Sequence, residues 1–281
     1  MKRIKVAVLG SGSMGMDLMK KIISRSKYME LSLPIAKQSG IEISSKGIQT
    51  ILENADIQII FNTTNDTINI VKYPQLADKF IVNMMPNLDD PYIIPSVNLD
   101  KVLENKELRS VNLMTFGGQA AIPIVYAINK IQQVEYAEIV STISSEVIDN
   151  DMRASTDEFI DLTSQAIVEI GGAKKGKTIS LLNPALPPIL MRDTIYVKAE
   201  KYDMDRILKS VYEMEKSMQE YVPGYKLLME PMLDENKIII MIQVEATGGL
   251  LPSYAGNIDI MTCAAMKTGD VYSKKLLNNT D

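Results

Sequence analysis

The chain has 281 residues, 46% of them hydrophobic and 23% charged, with a net charge of −5, the balance of an ordinary globular protein of one large or two modest domains. It contains no histidine and one cysteine, Cys263, which excludes Ser-His-Asp and Cys-His catalysis, an intrachain disulfide and a cysteine-cluster metal site. The negative charge speaks against nucleic acid, no apolar run has the length of a membrane span, and the opening "MKRIKVAVLG" is interrupted too soon for a signal peptide. The expectation is a cytoplasmic protein with neither nucleic acid nor membrane as partner.

The first element is the apolar run Ile4 to Leu9, with the length and β-branched content of a buried parallel strand. Gly10, Gly12 and Gly15 follow as G-x-G-x-x-G, and a helical pattern then runs through Met14, Leu18, Ile22 and Ile23. In a strand–turn–helix context this motif reads as dinucleotide binding. Gly10 makes the turn, Gly12 lets the backbone approach a pyrophosphate, and Gly15 allows close helix–strand packing. Ser11, Ser13 and Met14 belong to the same loop, and the helix start offers N–H donors to phosphate.

A second strand, Leu31 to Ile35, is followed by Lys37, Gln38 and Ser39, with no carboxylate where NAD-binding chains place one for the ribose. Lysine beside small polar residues suits the 2′-phosphate of NADP, so the cofactor is read as NADP or NAD. A third strand at Ile57 to Phe61 ends in Asn62, Thr63 and Thr64, and a fourth at Phe80 to Val82 ends in Asn83. Ligands of open parallel sheets bind beyond such ends, so Asn62, Thr63 and Thr64 are expected to touch the cofactor.

"VNLMTFGGQAAIP", residues 111 to 123, places Phe116 before Gly117 and Gly118 at the start of a helix. A Gly-Gly turn in this position leaves backbone N–H groups open to a ligand, so both glycines are candidates for cofactor contact. From residue 137 the pattern changes to strands of a mixed sheet, "AEIVSTISSEV", "KTISLLNPA", "DTIYVKAE" and "KIIIMIQVEA". Two amphipathic helices lie among them, at residues 155–172 and 203–221. The second puts Ile207, Val211, Met214 and Met218 on one face.

These segments resemble the acylating acetaldehyde dehydrogenases, the NAD-linked partners of 4-hydroxy-2-oxovalerate aldolases. The resemblance covers nearly the whole chain and is carried by "VAVLGSGSMGMDLM", "VNLMTFGGQAAIP", "YAEIVSTISS", "RASTDEF", "NPALPPILMRDT", "YVPGYKL" and "LPSYAGNIDIMT". It implies an α/β fold like that of glyceraldehyde-3-phosphate dehydrogenase. A Rossmann-type doubly wound parallel sheet over residues 1–111 and 255–281 would bind NAD(P), and an α+β domain over residues 112–254 would hold substrate and form a homodimer. It also implies an aldolase-like or biosynthetic partner enzyme.

In the family a cysteine directly before Gly-Gly-Gln attacks the aldehyde, hydride leaves to NAD, and coenzyme A takes the acyl group. The matching position here is Phe116, which has no lone pair to attack with. Asp193 matches the acid that assists the nucleophile, Arg192 stands beside it, and Asn257 matches the residue near the nicotinamide carboxamide. Arg153 and Asp157 match "RA…DEF". The family's ribose-binding acid falls near Gln38. Cys263, six residues after Asn257, reads as packing.

Three readings stay open. In the first, hydride passes between NAD(P) and a small carbonyl or imine without a thioester, with Asp193 as the acid–base group and the Phe116 ring shaping the pocket. In the second, the chain binds cofactor or a partner enzyme as a scaffold or regulator. In the third, it is an acylating enzyme that has lost its nucleophile.

Overall fold

The computed structural model describes residues 2–32, 47–64, 68, 73–85, 90–147, 156–248 and 250–278. The chain divides into two compact units, one of Met1–Pro95, Leu99–Leu113 and Thr262–Asp281, the other of Ser96–Asn98 and Met114–Met261. The first unit runs β1 (Ile4–Leu9), α1 (Ser13–Arg25), β2 (Met29–Leu31), α2 (Ile48–Leu52), β3 (Ile59–Asn62), β4 (Phe80–Asn83), β5 (Tyr92–Ile93), α3 (Leu99–Val102) and β6 (Ser110–Leu113). The second runs α4 (Phe116–Asn129), β7 (Val134–Ser144), α5 (Thr156–Glu169), β8 (Gly176–Asn183), β9 (Met191–Ala199), α6 (Met204–Gln219), β10 (Tyr225–Leu227), β11 (Met232–Asp234) and β12 (Lys237–Val244). The last helix, α7 (Gly256–Asn278), contributes its residues from Thr262 onward to the first unit.

In the first unit six strands pair in the order β2-β1-β3-β4-β6-β5, every neighbour parallel. Such sheets are covered on both faces, which is why β3 and β4 are apolar runs with every residue buried. One face packs Ala7, Ile60 and Ile81 against Ile51 of α2. On the other, Met19 of α1 packs on Val8 and Leu31, and Phe80 stacks on Tyr272 of α7 with ring centroids 3.8 Å apart. The strand order reverses at β1, the position where open sheets of this kind form their crevice.

In the second unit the order is β10-β12-β9-β7-β8, with β11 on β12. β7 and β8 are parallel and the other pairs antiparallel. Alternation along β7, β9 and β12 buries Ile139, Ile143, Ile195, Val197, Ile238, Ile240 and Ile242 on one face. Helix α4, buried on nearly every side, packs on β7, β9 and β12 and is flanked by α5 and α6. Among the described residues no helix is long and apolar enough to cross a membrane.

Candidate functional site

In the first unit the glycine loop lies at the C-terminal end of β1. Gly10 has φ +110, a left-handed conformation that favours glycine, and a Cβ there would overlap Thr63 Oγ1. A Cβ on Gly15 would overlap the carbonyl of Gly10, so the helix can follow the strand this closely only without a side chain at that position. Around Gly12 nothing lies within 4 Å of the Cβ position. Ser11, Gly12 and Ser13 are exposed and Met14 half-buried. Gly12 caps α1 without a side-chain acceptor, and the first turn holds no acid. This is an open cradle of backbone donors at a positive helix end, which fits the pyrophosphate of a dinucleotide.

The strand ends beside it are tied together internally. Thr63 donates both its N–H and its hydroxyl to the carbonyl of Leu9, each at 2.9 Å. Asn62 Oδ1 accepts from the N–H and the hydroxyl of Thr64, and Asn62 Nδ2 donates to Asn83 Oδ1 at 3.1 Å. Asn83 in turn donates to Asp90 Oδ2 at 3.0 Å. The amide of Asn62 thus shapes the Thr63–Thr64 loop against Gly10. Lys37, Gln38, Ser39 and Arg153 lie outside the described residues.

In the second unit Asp193 is 1% exposed, on the inward face of β9. The antiparallel register sets it directly opposite Ser141 of β7, whose hydroxyl donates to Oδ1 at 2.6 Å. Oδ2 has no partner among the described residues. Burial drives the carboxyl pKa from its ordinary 3.8 up to about 7, and the Ser141 hydrogen bond opposes part of that rise. Tyr225 of β10 lies near enough for the charge of Asp193 to raise its own pKa, although burial is the larger cause. Its hydroxyl donates to the carbonyl of Ala120 at 2.9 Å.

The structure does not bring Arg192 to Asp193. Neighbours along a strand face opposite sides, so Arg192 is exposed and its Nε donates to Gln243 Oε1 at 3.3 Å. Asp157 is exposed in the first turn of α5.

Phe116 is the first residue of α4, half-buried, with its ring edge-on to Phe159 at a centroid distance of 6.1 Å. The expectation of an open N–H at Gly118 is corrected here, because that N–H donates to Thr115 Oγ1 at 3.1 Å. The Thr115 hydroxyl meets Thr163 Oγ1 at 2.6 Å, and Thr163 donates to the carbonyl of Phe159. Since Thr163 spends its single proton on that carbonyl, the proton between the threonines belongs to Thr115. A Cβ on Gly118 would lie 2.5 Å from Met114 Cγ, and one on Gly117 3.3 Å from Ser141 Oγ. Both glycines are buried and let the helix start settle against its neighbours.

Asn257, in the first turn of α7, is 1% exposed, and neither its amide nitrogen nor its amide oxygen has a partner among the described residues. A buried primary amide left this way can both donate to and accept from another polar group. Cys263 is fully buried, a place for packing rather than attack.

Sequence reasoning missed Ser141, Thr163 and Tyr225. Ser141 had a readable signal, a polar residue on the apolar stripe that Ile139 and Ile143 define.

Residues 116–252 match the family of prokaryotic acetaldehyde dehydrogenase dimerisation domains. Acetaldehyde dehydrogenases from Brevibacillus brevis and Carboxydothermus hydrogenoformans are 45% and 43% identical to the chain, each over 98% of it and over 97% and 95% of their own lengths. The chain belongs to the acylating acetaldehyde dehydrogenase family. A further family member, from Geobacillus stearothermophilus, is 43% identical over 99% of the chain and 98% of its own. Aspartate semialdehyde dehydrogenase II from Vibrio cholerae, solved in complex with ASA, matches with a TM-score of 0.62 over 99% of both chains. At 10% identity that likeness establishes the fold alone, the one shared with glyceraldehyde-3-phosphate dehydrogenase.

Proposed function

We propose that this member of the acetaldehyde dehydrogenase family is an NAD(P)-dependent oxidoreductase that moves hydride to or from a small carbonyl or imine without a covalent thioester. The observation that carries this reading is the buried carboxyl of Asp193, one oxygen bonded to Ser141 and the other unpartnered among the described residues. With a pKa of about 7 it can both hold and release a proton near neutral pH, which an ordinary aspartate cannot.

The bound cofactor supplies the hydride. Gly10, Ser11, Gly12, Ser13, Met14 and Gly15 form the cradle for its phosphates. In the second unit the amide of Asn257, unpartnered among the described residues, is suited to a carboxamide. In the reducing direction Asp193 gives its proton to the substrate heteroatom as that atom gains charge, and in the oxidising direction it takes the proton back. The ring of Phe116, in the place of the family nucleophile, excludes water and cannot form a thioester. The chain's single thiol, on Cys263, is buried in the other unit.

The family match to a dimerisation domain supports a homodimer. A lysine contact to a 2′-phosphate is worth about 1.5–3 kcal/mol, so calorimetry is expected to give NADPH roughly tenfold tighter binding than NADH, and tighter NADH binding would reverse the preference.

The test follows consumption of reduced cofactor with acetaldehyde and a panel of small carbonyls and imines, in the wild type and in Asp193→Asn, and separately acyl-coenzyme A formation from acetaldehyde, coenzyme A and oxidised cofactor. Turnover that needs Asp193, with no acyl-coenzyme A formed, supports the proposal. Acyl-coenzyme A formation would restore the acylating reading. Silence of both proteins across the panel with cofactor still bound would favour the scaffold reading.

A further inference from the structure

We infer that Ser141 is the positioning residue of this site: its hydroxyl turns the Asp193 carboxyl so that Oδ1 is held as an acceptor and Oδ2 is the oxygen that carries and delivers the proton. The inference rests on the proton-transfer reading above and adds to it a residue and a choice between two oxygens.

The geometry begins with the sheet. Ser141 and Asp193 are register partners on the inward face of β7 and β9, 2% and 1% exposed, so the two side chains meet without reaching. A serine hydroxyl has one proton to give. Here it goes to Oδ1 at 2.6 Å, and no other acceptor for it is found among the described residues. In the ionised form the carboxylate can only accept, so Ser141 must donate to Oδ1, and the oxygen left open to take up a proton is Oδ2. The serine therefore donates, Oδ1 is the carbonyl-type oxygen of the neutral acid, and the acid proton sits on Oδ2, the atom with no partner among the described residues.

The helix above helps to fix this arrangement. A Cβ on Gly117 would come within 3.3 Å of Ser141 Oγ, so the first turn of α4 presses close on the hydroxyl. Among the described residues no charge competes for the carboxyl. β7, β12 and α4 pack against β9. Glu138 of β7 and Lys237 of β12 stand on the opposite face of the sheet, Glu135 pairs with Lys174, and α4 has no charged residue. Tyr225, the titratable neighbour, has committed its hydroxyl to Ala120.

Wild type, Ser141→Ala and Ser141→Thr are labelled with carbon-13 at the aspartate side-chain carboxyl and titrated by NMR, with Asp193→Asn to assign the signal. Loss of the hydroxyl removes a bond that favours the charged carboxylate, so the Asp193 midpoint is expected to rise in Ser141→Ala by about one pH unit, a tenfold change in proton affinity. Ser141→Thr keeps a donor and is expected to titrate like the wild type. With acetaldehyde and NADPH as probes, the alkaline limb of kcat in Ser141→Ala moves up with the midpoint. Its plateau falls about tenfold, while the cofactor Kd stays unchanged.

A general loosening of the fold would lower kcat at every pH and leave the midpoint in place. An unmoved midpoint in Ser141→Ala overturns the inference. A moved midpoint with no turnover in any protein keeps the hold of Ser141 on Asp193 and removes the oxidoreductase reading instead. If Ser141→Ala does not fold, Ser141→Cys, similar in size with a weak donor, carries the same titration.

Discussion

Two aspartates, one in each unit, are buried to the same degree and treated in opposite ways. Asp17 of α1 is 0% exposed and paired, its Oδ2 meeting Lys21 and the hydroxyl of Thr262, while Lys21 also donates to Thr262 at 2.6 Å. Asp193 is 1% exposed and, among the described residues, has a single serine hydroxyl and no cation. A cation beside a buried carboxylate fixes its charge and makes it part of the architecture. A hydroxyl alone leaves the carboxyl's charge negotiable, which is what proton transfer requires.

The largest effect expected from this contrast is on turnover. Asp193→Asn should lower kcat about 10²–10⁴-fold with the true substrate and leave cofactor affinity unchanged in calorimetry. Near-wild-type turnover would mean that the proton moves through water or through another group. The counterpart in the first unit is Lys21→Met, which leaves Asp17 buried without its cation and should destabilise the fold by about 3–5 kcal/mol in urea unfolding. Adding Asp17→Asn to that variant should recover most of the loss. If Lys21→Met unfolds like the wild type, Asp17 is not the structural member of the pair.

The pH dependence of stability tests Asp193 further. The pKa of Asp193 is raised on folding, from 3.8 to about 7, so the folded state holds its proton more tightly than the unfolded chain does. Its contribution is complete below the unfolded value and is lost as pH rises through the folded one. Over that window the wild type should lose about 4 kcal/mol, at about 1.4 kcal/mol for each tenfold difference in proton affinity between the folded and unfolded chain. Asp193→Asn should show a flatter profile and exceed the wild type in stability at pH 8, measured by chemical unfolding at fixed ionic strength. A parallel pair of profiles would contradict the assignment. The smallest expected effect is that of Tyr225→Phe, which removes one neutral hydrogen bond to Ala120 and should cost about 1 kcal/mol with little change in turnover.

The elements that were legible in the sequence are those whose cause is local. β1 has the bounds of its apolar run, and the 3.6-residue spacing of Ile207, Val211, Met214 and Met218 is the buried face of α6. Strand alternation alone separates Arg192 from Asp193. Where the cause lies far along the chain, the pattern misleads or is silent. Ile23 continues the apolar face of α1 on paper but is 56% exposed, whereas Lys21 of the same helix is buried because Asp17 and the distant Thr262 surround it. The Thr115–Thr163 bond and the Ser141–Asp193 bond each join residues about 50 positions apart, and no window of sequence contains both partners. Short strands such as β5 and β11 are too brief to show a period.

The glycines after Phe116 have a bearing on how such chains diverge. Gly118 gives clearance against Met114, and a Cβ on Gly117 would sit tightly against Ser141. Neither requirement refers to the residue that comes before them. A change at position 116 is therefore expected to leave the seating of the helix intact, because the two glycines serve its packing whatever residue precedes them. Gly-Gly thus belongs to the scaffold, and the chemistry proposed above rests instead on residue 116 and on the inward side chains of β7 and β9.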